Sequence, residues 1–525
     1  MLSKKLASIL FYALAFIGTP ALADSLPAYP SPTHGIITLK KGFYRLTYEN
    51  VRLPSNDPDM GFLGINYLIR VTPRFYLGGA AYSAQRGIRG GFFTAGFEGG
   101  FQYPISSRLK VDTGLFIGGG GGSGAQQGGG LMLRPHAGLI YDFKPLQVSL
   151  NYDEVRFPNG HINSNEMSLG LDIPFESIIA DGGYRGLMIG SPDNLPREMK
   201  GHINYATETI LLTANQYHPT RTGVLPGAQP LSNTISLAGF EFRKYLDPRA
   251  FVILEASGAA GGNADGYAEL LGGLGYRISP DIWPCRINIH ITFGGAGGGH
   301  IDTGGGSIFK WGLSAEYPFA RHYLAGFDIG ELHPVGGNFA ARTLGLRFGY
   351  ETNIAQFQGG YKPSLPDDHL ILSGWRIRAS TEEYLHTQRK TGFTGQNHIG
   401  LFAIKIDRLA SDGFYLTGQA MGANSGGSGG YAVGLVGAGF ETAPFLGPFG
   451  MNAELLTGAS GGGGLAVGGG AIIQAMAGLY SQASDNLSLN LSLGEVKSLQ
   501  GTLQSPLIDF GIGYSFSDIE KTIDY

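Results

Sequence analysis

Three observations predict an all-β fold, with antiparallel strands closing into a cylinder. The chain alternates apolar and polar residues with a period of two, repeats one block of sequence three times, and alternates short connections with long ones. The period is clearest in "LQVSLNYDEV". Leu146, Val148, Leu150 and Tyr152 share one face there, and Gln147, Ser149, Asn151 and Asp153 share the other. "LSLNLSLG" repeats it, with Leu487, Leu489, Leu491 and Leu493 set against Ser488, Asn490 and Ser492. Successive side chains of a strand point to opposite faces, so this pattern marks strands with one apolar side. In the first block such stretches begin near Phe43, Phe62, Phe75, Phe92, Leu109, Leu131, Leu146 and Glu166. That makes eight strands, and the later blocks follow suit.

The repeat sets the organisation. "IGGGGGSGAQQGGG", "GGAGGGHIDTGGG" and "GASGGGGLAVGGG" end in glycine triplets starting at residues 128, 304 and 468. Each is preceded by a strand of glycines and aromatics and followed by matching strands in the same order. The expected layout is a signal peptide (1–23), a lead segment (24–42) and unit 1 (43–175). A linker (176–202), unit 2 (203–350), a second linker (351–373), unit 3 (374–516) and a tail (517–525) complete it. The signal peptide is read from basic "MLSKK", the apolar run at 6–18 and the A-x-A site in "TPALAD". That run is shorter than the ~20 residues of a membrane-spanning helix, and no later apolar run reaches that length.

Composition narrows the class. Charged residues are 15% of the chain, against about 25% in an average soluble protein. The 87 glycines among 525 residues far exceed the usual ~7%. A net charge of −4 offers no basic field for nucleic acid. Cys285 is the only cysteine, so it can form no intrachain disulfide and is expected to be a small buried apolar residue. No metal or other cofactor is expected.

After the second, fourth and sixth strands the connections are short and rich in Pro, Asp and Ser, as in "TPR", "LDPR" and "DFKPL". The remaining connections are mostly longer and rich in glycine. Membrane barrels have short turns at one end and long loops at the other. A strand-built span must also close on itself, because lipid cannot pair backbone groups.

Each unit ends on a similar octapeptide: "SLGLDIPF", "TLGLRFGY" and "DFGIGYSF". These resemble the closing strand of bacterial outer-membrane β-barrel proteins, patterned polar-x-Gly-x-x-apolar-x-aromatic. Gly170 with Phe175, Gly345 with Tyr350, and Gly511 with Tyr514 and Phe516 carry the pattern. The resemblance implies a transmembrane antiparallel barrel in the bacterial outer membrane. It also implies outer-membrane lipid and the barrel-assembly machinery as partners. "SDIEKTIDY" after Phe516 departs from the pattern, because members of that group commonly finish on the aromatic.

Three units of eight favour one 24-stranded barrel, an even count within the range of roughly 8 to 26. The alternative is three tandem eight-stranded barrels, which the long linkers support.

Candidate site residues follow from parity. Glu49, Glu208 and Glu382 sit on the first strand of each unit; Arg45 shares a face with Glu49, and Arg376 and Arg378 share one with Glu382. They are expected to face the lumen, either as an acidic ring selecting cations or as internal ion pairs. Glu154, Glu331 and Glu495 on the seventh strands have lipid-facing parity and are placed at the rim. Phe43, Tyr67, Phe75, Phe101, Tyr103, Tyr141 and Phe175 are candidates for an interfacial girdle. The glycine loops lack the lysine of a phosphate-binding loop and fit flexible hairpins at a rim.

The leading functional expectation is a channel or transport pore passing solute or polymer without catalysis. A surface adhesin or structural outer-membrane protein is the alternative. A lipid-modifying barrel enzyme is the third reading, and it is disfavoured because His136, His161, His290 and His322 recur at no equivalent position.

Overall fold

In the computed structural model, which describes residues 37–225, 228, 230–357, 369–411 and 413–522, the architecture is all-β with antiparallel pairing throughout. The signal-peptide segment, residues 24–36 of the lead segment, residues 358–368 of the second linker and the last three residues lie outside the described residues. The first ring comprises β1 (Ile37–Val51), β2 (Met60–Arg70), β3 (Phe75–Arg86), β4 (Phe93–Pro104), β5 (Leu109–Gly121), β6 (Met132–Asp142), β7 (Gln147–Arg156) and β8 (Asn163–Asp181). A short strand, β9 (Arg185–Gly190), follows. The second ring comprises β10 (Ile203–Thr222), β11 (Ile235–Tyr245), β12 (Ala250–Gly261), β13 (Ala268–Arg277), β14 (Arg286–Gly297), β15 (Ser307–Ala320), β16 (Tyr323–Pro334) and β17 (Phe339–Phe357). The third comprises β18 (Leu370–Tyr384), β19 (Ile399–Leu409), β20 (Phe414–Ala423), β21 (Ala432–Glu441), β22 (Phe449–Gly461), β23 (Ala471–Gln482), β24 (Leu487–Ser498) and β25 (Gln504–Lys521).

The favoured single ring is corrected by the pairing. β1 pairs with β8 from Ile37↔Ala180 to Tyr48↔Leu169. β10 pairs with β17 from Ile203↔Phe357 to Thr222↔Phe339. β18 pairs with β25 from Leu370↔Lys521 to Tyr384↔Leu507. Each block closes on its own first strand, giving three eight-stranded barrels. The reason lies in the inward side chains. Eight strands leave an interior just wide enough for side chains to fill. Arg45, Tyr76, Tyr82 and Arg134 in the first barrel are all no more than 1% exposed. In a ring of 24 strands these groups could not reach across to one another.

Alternation decides which face lies outside. On β7, Val148, Leu150 and Tyr152 are exposed, whereas Gln147, Ser149, Asn151 and Asp153 are buried. The polar face therefore lines the lumen and the apolar face looks outward, with both edges of each of the 24 barrel strands paired inside its ring. The short turns are fastened by hydroxyl and carboxylate acceptors, as their composition requires. Thr72 Oγ1 accepts from Phe75 N–H at 3.0 Å and Ser106 Oγ from Leu109 N–H at 3.1 Å. Asp247 accepts from Ala250 and Arg249 N–H, both at 2.7 Å, and these bonds hold its carboxyl below the usual range.

The barrels pack in a cycle. β3 of the first lies against β14 and β15 of the second. β11 and β12 of the second lie against β22 of the third, with β23 also meeting β12. The cycle closes where β19 and β20 of the third meet β4 and β5 of the first. Glycine runs form these contacts, where flexible hairpins were expected. A Cβ on Gly119 would stand 2.5 Å from the Gly422 carbonyl. Gly430 N–H donates to Gly120 O at 3.2 Å and Gly90 N–H to Gly304 O at 3.1 Å. Gly91, at φ +87°, lies so close to Gly297 and Gly298 that any side chain would overlap their backbone. At the opposite, short-turn end, Ile178, Ile189, Leu195, Met199, Ile203, Leu370 and Ile519 gather strand extensions and β9 into one apolar cluster.

Candidate functional site: three sealed lumens

Each lumen is layered. Toward the long loops it holds an apolar cluster: Met60, Phe62, Phe92 and Phe157 in the first barrel, Ile235, Ile308 and Phe339 in the second, Ile399, Leu465 and Leu503 in the third. A layer of ion pairs follows below it. In the first barrel Arg45 reaches Asp172 at 2.8 Å, Asp112 at 2.7 Å and Glu98 at 3.4 Å. Arg134 joins Glu49 at 2.9 Å to Asp153 at 2.8 Å, and its guanidinium lies over the Tyr82 ring. In the second, Arg243 holds Glu316 at 2.7 Å and Glu241 at 2.5 Å, and Arg347 meets Glu241 and Asp328, both at 3.2 Å. Lys310 bonds Glu255. In the third, Arg376 meets Asp407 at 2.7 Å and Glu441 at 2.8 Å. Arg378 meets Asp407 at 2.8 Å and Glu454 at 2.7 Å, and Lys405 lies 2.8 Å from Asp509 and 3.6 Å from Glu382.

The structure separates the three glutamates of the first strands. Glu49 and Glu382 face the lumens of different barrels and are each about 2% exposed or less. No shared ring exists. Glu208 is a correction of a different kind, because it points outward, half-buried, and pairs with Lys244 at 3.0 Å. The glycines of the closing strands reveal why. Gly170, Gly345 and Gly511 stand opposite Thr47, Asn215 and Ser380. Two residues further along each first strand lie Glu49, Tyr217 and Glu382. Tyr217 is therefore the equivalent position, and its hydroxyl donates to Glu269 Oε1 at 2.6 Å. Aligning first strands on their glutamates misplaces this register; aligning them on the closing glycines recovers it.

Glu154, Glu331 and Glu495 lie outward near the loop end. Glu331 stands 3.4 Å from His333, and Gln504 donates to Glu495 at 2.5 Å. Of the closing aromatics, Phe175 stacks on Tyr67 with centroids 5.2 Å apart, and Tyr350 stacks on His322 at the same separation. Tyr514 and Phe516 face each other at 6.3 Å. Phe43 leaves the proposed girdle: it is 2% exposed and packs with Leu68 and Tyr76 inside the first barrel. Cys285 is half-buried beside β14 and belongs to none of the apolar core clusters.

Sequence reasoning missed most of the ion-pair partners, including Glu98, Asp112, Asp153, Asp172, Arg134, Glu241, Arg243, Arg347, Lys405 and Glu454. The available signal was parity: every one shares the polar face of its strand. Among the buried residues of the first barrel carboxylates outnumber arginines and lysines, with Glu49, Glu98, Asp112, Asp153 and Asp172 set against Arg45 and Arg134. Several buried oxygens there, including Asp153 Oδ2, Thr47 Oγ1 and Ser168 Oγ, have no hydrogen-bond partner among the described residues. Among the described residues no cluster of three or more His, Cys, Asp or Glu side chains is arranged to hold a metal ion.

No family model and no curated protein matches the chain. Among solved structures it is similar to OccK11 (OpdR) of Pseudomonas aeruginosa, at 12% identity and a TM-score of 0.21, over 93% of this chain and 99% of that one. It is also similar to OccAB3 of Acinetobacter baumannii, at 9% identity and a TM-score of 0.21, over 91% and 99%. A mutant of the ferric enterobactin receptor PfeA of Pseudomonas aeruginosa matches at 10% identity and a TM-score of 0.26, over 90% and 80%. Scores this low leave function to be argued from the chain's own geometry.

Proposed function

We propose that this chain is a bacterial outer-membrane protein in which one barrel unit, present three times, forms a lipid-embedded body that is sealed at rest and acts without catalysis. Support for the membrane comes from the outward faces, where Leu139, Leu150, Leu169, Leu313, Ile329, Leu455 and Leu491 are all at least 40% exposed, and from ring closure, which pairs both edges of every barrel strand. Lipid and the assembly machinery that reads the closing octapeptides are the partners this reading requires. The observation that carries the sealed state is the filled lumen. Ion pairs cross it at residues that, Glu441 apart, are less than a tenth exposed, and an apolar cluster lies above them. His136 and His290 lie inside these lumens, beyond the reach of a lipid substrate.

Planar bilayers test this reading. Purified protein should insert and remain silent at moderate voltage, and stable wild-type steps would refute the sealed state. One observation favours a second reading, transport through a lumen that opens: the excess of buried carboxylates gives the first barrel the lining of a cation path. On that reading, voltage or loss of a bridging arginine should produce cation-selective steps.

A further inference from the structure

The turn between β13 and β14, "ISPDIWPC", is longer than the equivalent turn of the first barrel and encloses space at the short-turn mouth of the second lumen. A cavity of about 200 Å³ lies there, lined by Arg277, Ser279, Asp281, Trp283, Arg286 and Pro318. At about 30 Å³ per water, that is room for a small oxyanion with some of its hydration. We propose that this vestibule binds a phosphate-type oxyanion, held chiefly by Arg277.

The charges are unevenly committed. Arg286 donates to Glu351 Oε2 at 2.5 Å, and Asp281 accepts from Arg249 at 3.4 Å. Arg277 has no carboxylate partner among the described residues. Its Nη2 donates to the Tyr245 hydroxyl at 3.4 Å, its guanidinium lies over the Tyr245 ring, and its Nε is buried with no hydrogen-bond partner among the described residues. The site thus carries one uncompensated positive charge on a planar fork, the geometry that suits two oxygens of a phosphate. Ser279 Oγ accepts from Ile287 N–H at 3.1 Å, which leaves its own proton to donate. Beside the cavity Ile282 is 89% exposed and Trp283 52%, apolar surface suited to the edge of a bilayer. The phosphate could therefore be free in solution or belong to a phospholipid headgroup. The proposal rests on the membrane reading only in placing this end of the barrel at a lipid surface.

The test uses the full chain in detergent micelles, with Trp311→Phe and Trp375→Phe leaving Trp283 as the reporter. Sodium phosphate is titrated against sodium chloride at matched ionic strength, and a second series compares micelles carrying phosphatidylglycerol with micelles carrying phosphatidylcholine. A saturable change in Trp283 emission with phosphate supports a free-anion site, and one with phosphatidylglycerol alone supports a headgroup site. In either case Arg277→Gln should weaken half-saturation at least tenfold while the far-UV circular dichroism stays that of the parent, and Arg277→Lys should recover part of the loss. No saturable change in either series, or the same half-saturation in Arg277→Gln, overturns the proposal. Whether the protein needs detergent to stay in solution is read separately, so failure of the membrane reading would not be mistaken for failure of the site.

Discussion

Replacing Arg134 with methionine should destabilise the first barrel and leave the other two unchanged. Arg134 is 1% exposed and is the cation that bridges Glu49 and Asp153, which are themselves 2% and 0% exposed. Its removal leaves two carboxylates in a closed, low-dielectric cylinder. Removing one partner of a buried pair costs about 3–5 kcal/mol, because the group left behind stays charged or must take up a proton. That corresponds to roughly two to four powers of ten in the opening equilibrium. Because each ring closes on itself, the loss should be local. The assay is hydrogen exchange read by mass spectrometry across a urea series in detergent, with peptides from the three rings followed separately. Those from residues 37–181 should lose protection at lower urea than in wild type, while those from residues 203–357 and 370–522 keep their midpoints. The triple change Arg134→Met, Glu49→Gln and Asp153→Asn should restore most of the loss, since no unpaired charge remains. A single-variant loss under about 1 kcal/mol, or an equal loss in all three rings, would refute the reasoning.

Lys405→Met should act on the third barrel in the same way, because Lys405 alone separates Glu382 from Asp509, whereas Glu208→Gln, on a half-exposed outward pair, should cost at most about 1 kcal/mol in the same urea series. Gly119→Val should force the loop ends of the first and third barrels apart, and exchange at Gly429 and Gly430, whose N–H groups donate to Gly128 and Gly120, should rise at least tenfold while the β-sheet signal is kept. A fragment of residues 370–522 should refold in detergent to a closed barrel by far-UV circular dichroism, and failure to gain strand structure would show that ring closure depends on its neighbours.

Much of the architecture is legible in single residues. Seven strands of the first ring begin at Met60, Phe75, Phe93, Leu109, Met132, Gln147 and Asn163, within three residues of where alternation places them. β1 instead begins at Ile37, six residues before Phe43, because it extends along β8 into what reads as a lead segment. Turn chemistry marks the short end. Legibility fails where a residue's role depends on a distant partner. Glu208 reads like Glu49, yet one step of register sends it outside. Phe43 reads as an interfacial ring, yet Leu68 and Tyr76 hold it in the lumen.

What the amino-acid sequence settles alone is local: which residues share a face, where strands start, and which face is apolar. Those follow from a backbone whose side chains alternate by geometry. What only the tertiary structure decides is which edge each closing strand meets, and so whether the chain makes one wide ring or three narrow ones. That outcome is a competition between distant partners, decided by how well long inward side chains fill the space a given ring encloses. The glycine runs show the same division. As sequence they merely permit close approach; as structure they are the surfaces on which three cylinders touch.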